Sequence, residues 1–557
     1  MKQQNQPQDM RNLLIAVLLS ALVFVGADYL RMKFAPPAAP AAQTAQTAAA
    51  EDANAIPAAA PGAPTPVAGA AATAEVSTLR ADEKASIAIQ GTDFDGRVAL
   101  LGGRIDLLKL PAYKAELGDA EPVQLLHPAG KDVFFYEAGW LGQDKVKAPD
   151  GNTLWKAEGD TLGDDNTLTL TWDNGQGQLF QRTYTLNPHT YTISITDGVS
   201  NNAKRPVTLT HYSQIHRGVT ADLMSHMLKI SSFTHFVGPQ ALVGDELHDV
   251  SYKELRKDGP KTLTARSGWA GISTPYFLTA LVPDQSVEKQ ISFRHSTVNN
   301  KDFFSLDVQQ PGRVVQPGEY AETSYTLFVG PKIISLLKAD GHGLDRAVDF
   351  GWYHVIAKMF FDLAMWIYGI VGNLGVAVIL MTLMIKLALW PLAAKSYRAM
   401  SEMKRLQPKM AQLKEKYGDN REALGPEMMA LYRQHKVNPM SGCWPMLVQI
   451  PIFFAFYKMI LISFEFRQAP FFFWIHDLSA RDPYFVLPVI MGITMLIQQR
   501  LNPTAADPVQ ARVMQLMPLI FTAMFAMFPA GLVLYWTTNS IVSVSQQYFI
   551  MRRMGIK

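Results

Sequence analysis

VAVILMTLMIKLALWPL, residues Val376–Leu392, decides how this chain is read. The run is apolar apart from Thr382 and one charge, Lys386, and it has the composition of most of a membrane-spanning helix. A lysine in hydrocarbon costs about 2.5–3.5 kcal/mol on insertion scales, so it marks a functional site by default. Snorkelling is the competing reading. Lys386 lies about six residues from the end of the run, roughly 9 Å along a helix, and a long side chain reaches much of that distance. Thr382 stands four residues earlier and so shares its helix face.

Working outward, the chain has two unlike halves. Of its 25 methionines, 20 follow position 350, in a half dominated by apolar runs near 369–392, 444–464, 484–501, 513–529 and 531–550. Each run carries a polar group: Gln449 in the second, Thr494, Gln498 and Gln499 in the third, Thr522 in the fourth, and Thr537, Thr538, Asn539, Ser540 and Ser543 in the fifth. Helix–helix hydrogen bonding accounts for such residues singly. Together with a cation they suit a hydrated groove, because polar groups in hydrocarbon face a partner or a wet cavity. Residues 345–368 mix aromatics with Asp349, Lys358 and Asp362 and read as an amphipathic helix in the membrane interface.

Earlier segments are simpler. Leu13–Val25 is apolar except for Ser20, and residues 1–34 read as a retained N-terminal transmembrane anchor, with a cleaved signal peptide as the alternative. Residues 35–74 are Ala, Pro, Thr, Gln and Gly, a tether with little to bury. Over 75–335 the period becomes two, as in Thr167–Trp172, Tyr191–Thr196 and Thr323–Val329, which predicts one large all-β sandwich. His211 and His216 form a weak metal pattern there, more simply read as ordinary strand residues. No metal, cofactor or catalytic motif is legible. The net charge of +3 is too small to argue for nucleic acid, and one cysteine, Cys443, forms no internal disulfide.

Loop charges set the topology. Lys395–Lys436 carries ten Lys/Arg against five acids, whereas Glu465–Asp482 carries two against three. Six spans with both termini in the cytoplasm satisfy this alternation and put the β domain outside. The basic loop, 394–437, repeats Met400, Met403, Leu406, Met410, Leu413 and Tyr417 at three- and four-residue spacing. That is the seam of an antiparallel helical hairpin, with a turn at Gly418-Asp419-Asn420 and a second helix carrying Met428, Leu431 and Tyr432. Pro408 is expected to kink its first helix and Gly425-Pro426 to delay its second. The expected architecture is a multi-domain membrane protein: a polytopic α-helical core of five transmembrane helices (369–550), an N-terminal anchor, a β-sandwich domain and a cytoplasmic hairpin.

Val437–Ile460 (VNPMSGCWPMLVQIPIFFAFYKMI), Phe466–Pro488 (FRQAPFFFWIHDLSARDPYFVLP) and Phe528–Trp536 (FPAGLVLYW) closely resemble the YidC membrane protein insertase family, over the whole of 345–550. The preceding segments resemble its long Gram-negative form. The resemblance implies a bacterial inner-membrane protein with a periplasmic β domain. Its groove opens to cytoplasm and lipid, and it inserts nascent membrane proteins alone or beside the Sec translocon. It places the groove cation at Lys386 and groove positions at Thr382, Gln449, Trp536, Thr537 and Asn539. The hairpin contact surface falls at Met403, Lys404, Arg405 and Lys409. Three features depart from the family pattern: Lys for the usual Arg, Trp536 for a common Tyr, and a short basic tail, 551–557, which weakens a tail-based ribosome contact. A small-solute transporter or channel with a cationic site, and a membrane-tethered carbohydrate-binding protein, are the alternative readings.

Overall fold

The computed structural model describes residues 85–555 except 226, 228–235, 299–300, 418–419, 436, 438–443 and 503–507. The anchor (1–34), the tether (35–74), Cys443 and part of the hairpin turn lie outside the described residues.

Strands from Ser86 to Pro331 form two sheets, of eleven and nine strands among the described residues. In the first, β1 (Asp132–Gly142) pairs antiparallel with β4 (Val207–Thr220). In the second, β2 (Gln178–Asn187), β3 (Thr192–Asn201) and β5 (Tyr320–Pro331) pair side by side. Ile193, Ile195, Leu209, Ile215 and Leu327 are fully buried between or within them. Alternation is lost where both faces are covered: every residue of Gly268–Ser273 and Phe277–Val282 is buried, which hid these strands from a period-two reading.

A polar network joins the sheets. Asp197 accepts from Arg182 Nε at 2.6 Å and from Tyr325 at 2.6 Å, and bonds His211 Nε2 at 2.9 Å. Tyr325 meets Tyr136 of the opposite sheet at 2.6 Å. Burial alone would raise the Asp197 carboxyl, but the Arg182 and His211 partners hold it well below the usual carboxylate range. His211 and His216 stand five apart on one strand and so point to opposite faces. His216 instead bonds Ser305 at 2.9 Å and the Gln214 amide at 3.0 Å. Among the described residues no cluster of three metal-ligating groups exists.

The chain leaves the sheets through α1 (Ile334–Ala339) and enters the helical half. Helix α2 (His354–Val371) ends at Gly372, whose φ of 68° is the left-handed conformation glycine adopts freely. Asn373 then caps α3 (Leu374–Ala388) by accepting the Val376 N–H at 3.0 Å. Next come α4 (Trp390–Tyr417) and α5 (Arg421–Gln434), the hairpin, followed by α6 (Trp444–Ile462), α7 (Val486–Leu501), α8 (Pro508–Phe525) and α9 (Ala530–Arg553).

By length and apolarity Gly351–Val371 qualifies as a span among the described residues, and α3 with α4 qualifies as a pair bent by 68°. The apolar run through Leu392 is therefore not one straight helix. The bend falls at Leu389, and Lys386 sits in the last turn of α3, where the helix dipole favours a cation.

In the hairpin, Met400, Met403, Leu406, Met410, Leu413 and Tyr417 are all buried or half-buried, as the seam requires, and the Tyr432 hydroxyl reaches Met410 Sδ at 3.6 Å. Gly425-Pro426 does not delay α5, a correction to the sequence reading. Asn420 caps the helix by accepting the Ala423 N–H at 3.3 Å, and Pro426 is carried inside it.

Candidate functional site

Helix α9 packs against α3, α4, α6 and α7 and builds the site. Its start is fixed by two backbone bonds, Ala530 N–H to Ala480 O at 2.6 Å and Gly531 N–H to Leu478 O at 2.8 Å. Leu532, Val533 and Leu534 are buried apolar residues, and Tyr535 stacks on Phe456 at 4.0 Å while bonding the Gln449 amide. Beyond Tyr535 the buried residues turn polar: Thr537, Asn539, Ser540, Ser543, Gln546 and Gln547. A helix that buries six polar side chains in an apolar bundle needs partners for them. Gln547 donates to Asn502 at 3.0 Å, yet among the described residues Thr537 Oγ1, Gln546 Oε1 and Gln547 Oε1 have no partner. Such buried, unpaired atoms carry a desolvation cost that a water or a polar group from outside would relieve.

Lys386 faces this polar row. Its Nζ donates to Ser543 Oγ at 2.9 Å, and Ser543 donates to Asn539 O at 2.8 Å. The side chain is half-buried, and no carboxylate pairs with it among the described residues. An ammonium held by one neutral hydroxyl keeps an unsatisfied attraction for negative charge.

The other expected groove residues divide. Thr382 is buried and its hydroxyl bonds Val378 O of its own helix at 2.6 Å, a local bond that leaves only acceptor capacity. Thr494, Thr522 and Thr538 likewise bond backbone within their own helices. Asn539 joins Lys386 through Ser543. Gln449 and Trp536 belong to an aromatic cluster nearer the start of α9. There Trp536 packs edge-on to Phe453 at 5.1 Å and beside Phe525 at 5.2 Å. Gln546 and Gln547 were missed by sequence reasoning. The spacing 539, 543, 547 along one helix face would have found Gln547.

In the hairpin, Met403 and Lys404 are half-buried, Arg405 bonds Glu402 and the Met554 carbonyl, and exposed Lys409 meets His435 Nε2 at 3.1 Å. A cleft of about 580 Å³ between α4 and α5 is lined by Lys409, Gln412, Lys416, Glu427 and Leu431.

A β-rich domain joined to an apolar helical bundle defines a class, and two family models give it a location. One described as "60Kd inner membrane protein" matches residues 366–557, and one described as "YidC periplasmic domain" matches 86–363. The chain is an inner-membrane protein with a periplasmic domain. It is 37% identical to a membrane protein insertase YidC of Magnetococcus marinus over 98% of this chain and 99% of that protein. It is also 37% identical to one of Granulibacter bethesdensis over 98% of each. The crystal structure of an active YidC insertase covers 84% of this chain and 92% of that one, at 19% identity and a TM-score of 0.38. The chain belongs to the YidC membrane protein insertase family.

Proposed function

We propose that this protein inserts nascent membrane proteins by drawing their polar tails into the space beside Lys386. Membrane protein insertion is the activity of its family, and no enzymatic step is involved. The observation that carries the site assignment is the half-buried ammonium, without a counter-ion among the described residues, facing a helix on which Thr537, Gln546 and Gln547 each keep one buried oxygen unpaired among the same residues. A polar segment crossing hydrocarbon must desolvate its backbone and charges. Hydrated space reached from one side shortens the dry path, and an uncompensated cation attracts an acidic tail. Exposed Met384, Met524 and Met527 give an adaptable apolar surface for varied substrate helices.

The topology that fits is an anchor plus five core spans, with both termini in the cytoplasm. Parity bears on 354–371. If that helix crossed the membrane, the basic hairpin would share a side with the periplasmic domain, against the positive-inside bias. We therefore assign 345–368 to the interface, where Trp352, Val355, Met359 and Trp366 are exposed along one stripe. The hairpin surface at Met403, Lys404, Arg405 and Lys409 is assigned to cytoplasmic partners. The Sec translocon and the lipid bilayer complete the partner set.

The test is reconstitution of the pure protein in liposomes with a small single-span substrate carrying an acidic tail. Protection of that tail from external protease only when the protein is present supports insertion. Lys386-dependent solute flux without tail protection would indicate a channel.

A further inference from the structure

The loop between α6 and α7, residues 463–485, displays aromatic rings from a backbone that bulky residues rarely adopt. Phe473 has a φ of 57° and Phe485 a φ of 56°, both in the left-handed region. Phe473 is 87% exposed, and Phe472, Tyr484 and Phe485 are exposed as well. The loop around them is pinned. Buried Asp482 accepts the Trp474 indole N–H at 3.0 Å, the Tyr484 N–H at 3.1 Å and the Leu487 N–H at 2.8 Å. Asp477 accepts the Gln468 and Ser479 N–H groups at 3.0 and 2.8 Å. Phe471 is seated on α3, where a Cβ on Gly375 would lie 2.1 Å from its ring. Phe471 and Trp474 are half-buried and Ile475 is buried, whereas Phe472 and Phe473 between them face out.

Placement says what covers these rings. Arg467 of the same loop donates to the Lys114 and Ala115 carbonyls, which puts the loop on the periplasmic side with the β domain. Directly after the loop, α7 exposes Val489, Ile490, Ile493, Leu496 and Ile497 along one stripe, with no polar residue between Phe485 and its start. At 16 residues α7 is about 24 Å long, short of a hydrocarbon core of roughly 30 Å. Its periplasmic end therefore lies within the interface zone, the level at which aromatic side chains collect. We propose that Phe472, Phe473 and Tyr484 form a lipid-contact patch that seats this loop at the headgroup–acyl boundary of the periplasmic leaflet. This rests on reading α7 as a membrane span. Burial of the rings among phospholipids offsets their exposure, and the left-handed backbone at Phe473 turns its ring out toward them. Because Arg467 grips the β domain, the patch also fixes how high that domain stands above the bilayer.

The experiment uses the full chain in phosphatidylethanolamine–phosphatidylglycerol liposomes, with Cys443→Ser removing its single thiol. Nitroxide labels are attached one at a time at Phe473→Cys, Phe472→Cys, Ile493→Cys and Asp245→Cys. Electron paramagnetic resonance reads their relaxation by oxygen, which enters lipid, and by a nickel chelate on both sides, which stays in water. Fully exposed Asp245 of the β domain gives the aqueous limit, and Ile493 gives the lipid limit. The oxygen-to-nickel ratio at Phe473 and Phe472 should exceed that at Asp245 by roughly threefold or more, as a depth at the headgroup–acyl boundary requires. Either phenylalanine site decides the matter if the other variant reconstitutes poorly. A ratio equal to that at Asp245, with Ile493 in lipid, overturns the patch and leaves the span reading standing. Weak relaxation by both reagents means that protein covers the rings, and overturns the patch equally. An aqueous ratio at Ile493 removes the span reading and the patch with it.

Discussion

Tyr535 has a stacking partner on its ring face, Phe456 at 4.0 Å, and the Gln449 amide on its hydroxyl, so one residue binds α9 to α6 twice. Replacing it with Phe keeps the stack and leaves the amide without that acceptor. A cost of about 1 kcal/mol is expected, seen as a fall of a few degrees in the thermal midpoint of the detergent-solubilised protein. At this scale the sequence was informative about which residues are polar in an apolar setting, because composition alone marks Lys386, Thr382 and the row beginning at Thr537. It was silent on what each polar group does. Thr382 spends its proton on its own helix, Trp536 packs against phenylalanines, and Ser543 receives the Lys386 ammonium while donating to the Asn539 carbonyl.

Between elements, close packing falls on small residues. A Cβ added to Gly492 of α7 would lie 2.2 Å from Thr522 Oγ1 of α8, and that oxygen is held by its bond to Pro518 O. Gly492→Leu should therefore push α7 from α8 at a cost of about 1–3 kcal/mol, measurable as a lowered thermal midpoint, whereas Gly425→Ala, with nothing within 4 Å, should stabilise or leave unchanged the hairpin helix. Hairpin periodicity was legible because a seam of apolar residues at three- and four-residue spacing is a local signal. The end of α3 was masked by apolar composition that continues straight through the bend, although Pro391, two residues past Leu389, has no N–H for the Leu387 carbonyl and suits the first turn of α4. Pro426 misled in the other direction, since the Asn420 cap starts α5 one turn before it.

Over the whole molecule, the two halves meet at a loop following α6. The Arg467 guanidinium lies over Tyr276 and Phe277 at 5.6 Å each and donates to the Lys114 and Ala115 carbonyls, while Phe464 packs edge-on to Tyr113 at 5.1 Å. Beside them Glu465 is half-buried, and this desolvation pushes its carboxyl up to about 7, although the neighbouring Ile334 N–H and the Lys358 charge favour the ionised form. A carboxyl raised above its unfolded value of about 4.3 binds more protons when folded, so its effect on stability falls as pH rises from there through 7. Glu465→Gln should flatten that part of the pH–stability curve, with a difference of a few kcal/mol at most by pH 8, read from thermal midpoints between pH 5 and 8. None of these domain contacts was legible beforehand, because they pair residues more than 100 positions apart. The β-rich class of this domain was legible from period-two stretches, but the strands buried on both faces were not.

The central claim is that the Lys386 charge draws acidic tails across the membrane, and charge exchange in reconstituted liposomes tests it most directly. Lys386→Arg should insert an acidic-tailed single-span substrate within about twofold of wild type, because the charge is kept. Lys386→Glu should reduce it by roughly tenfold, a penalty of about 1.4 kcal/mol that a screened like-charge contact readily supplies. Equal protease protection of the acidic tail by the Glu variant and the wild-type protein would contradict the account.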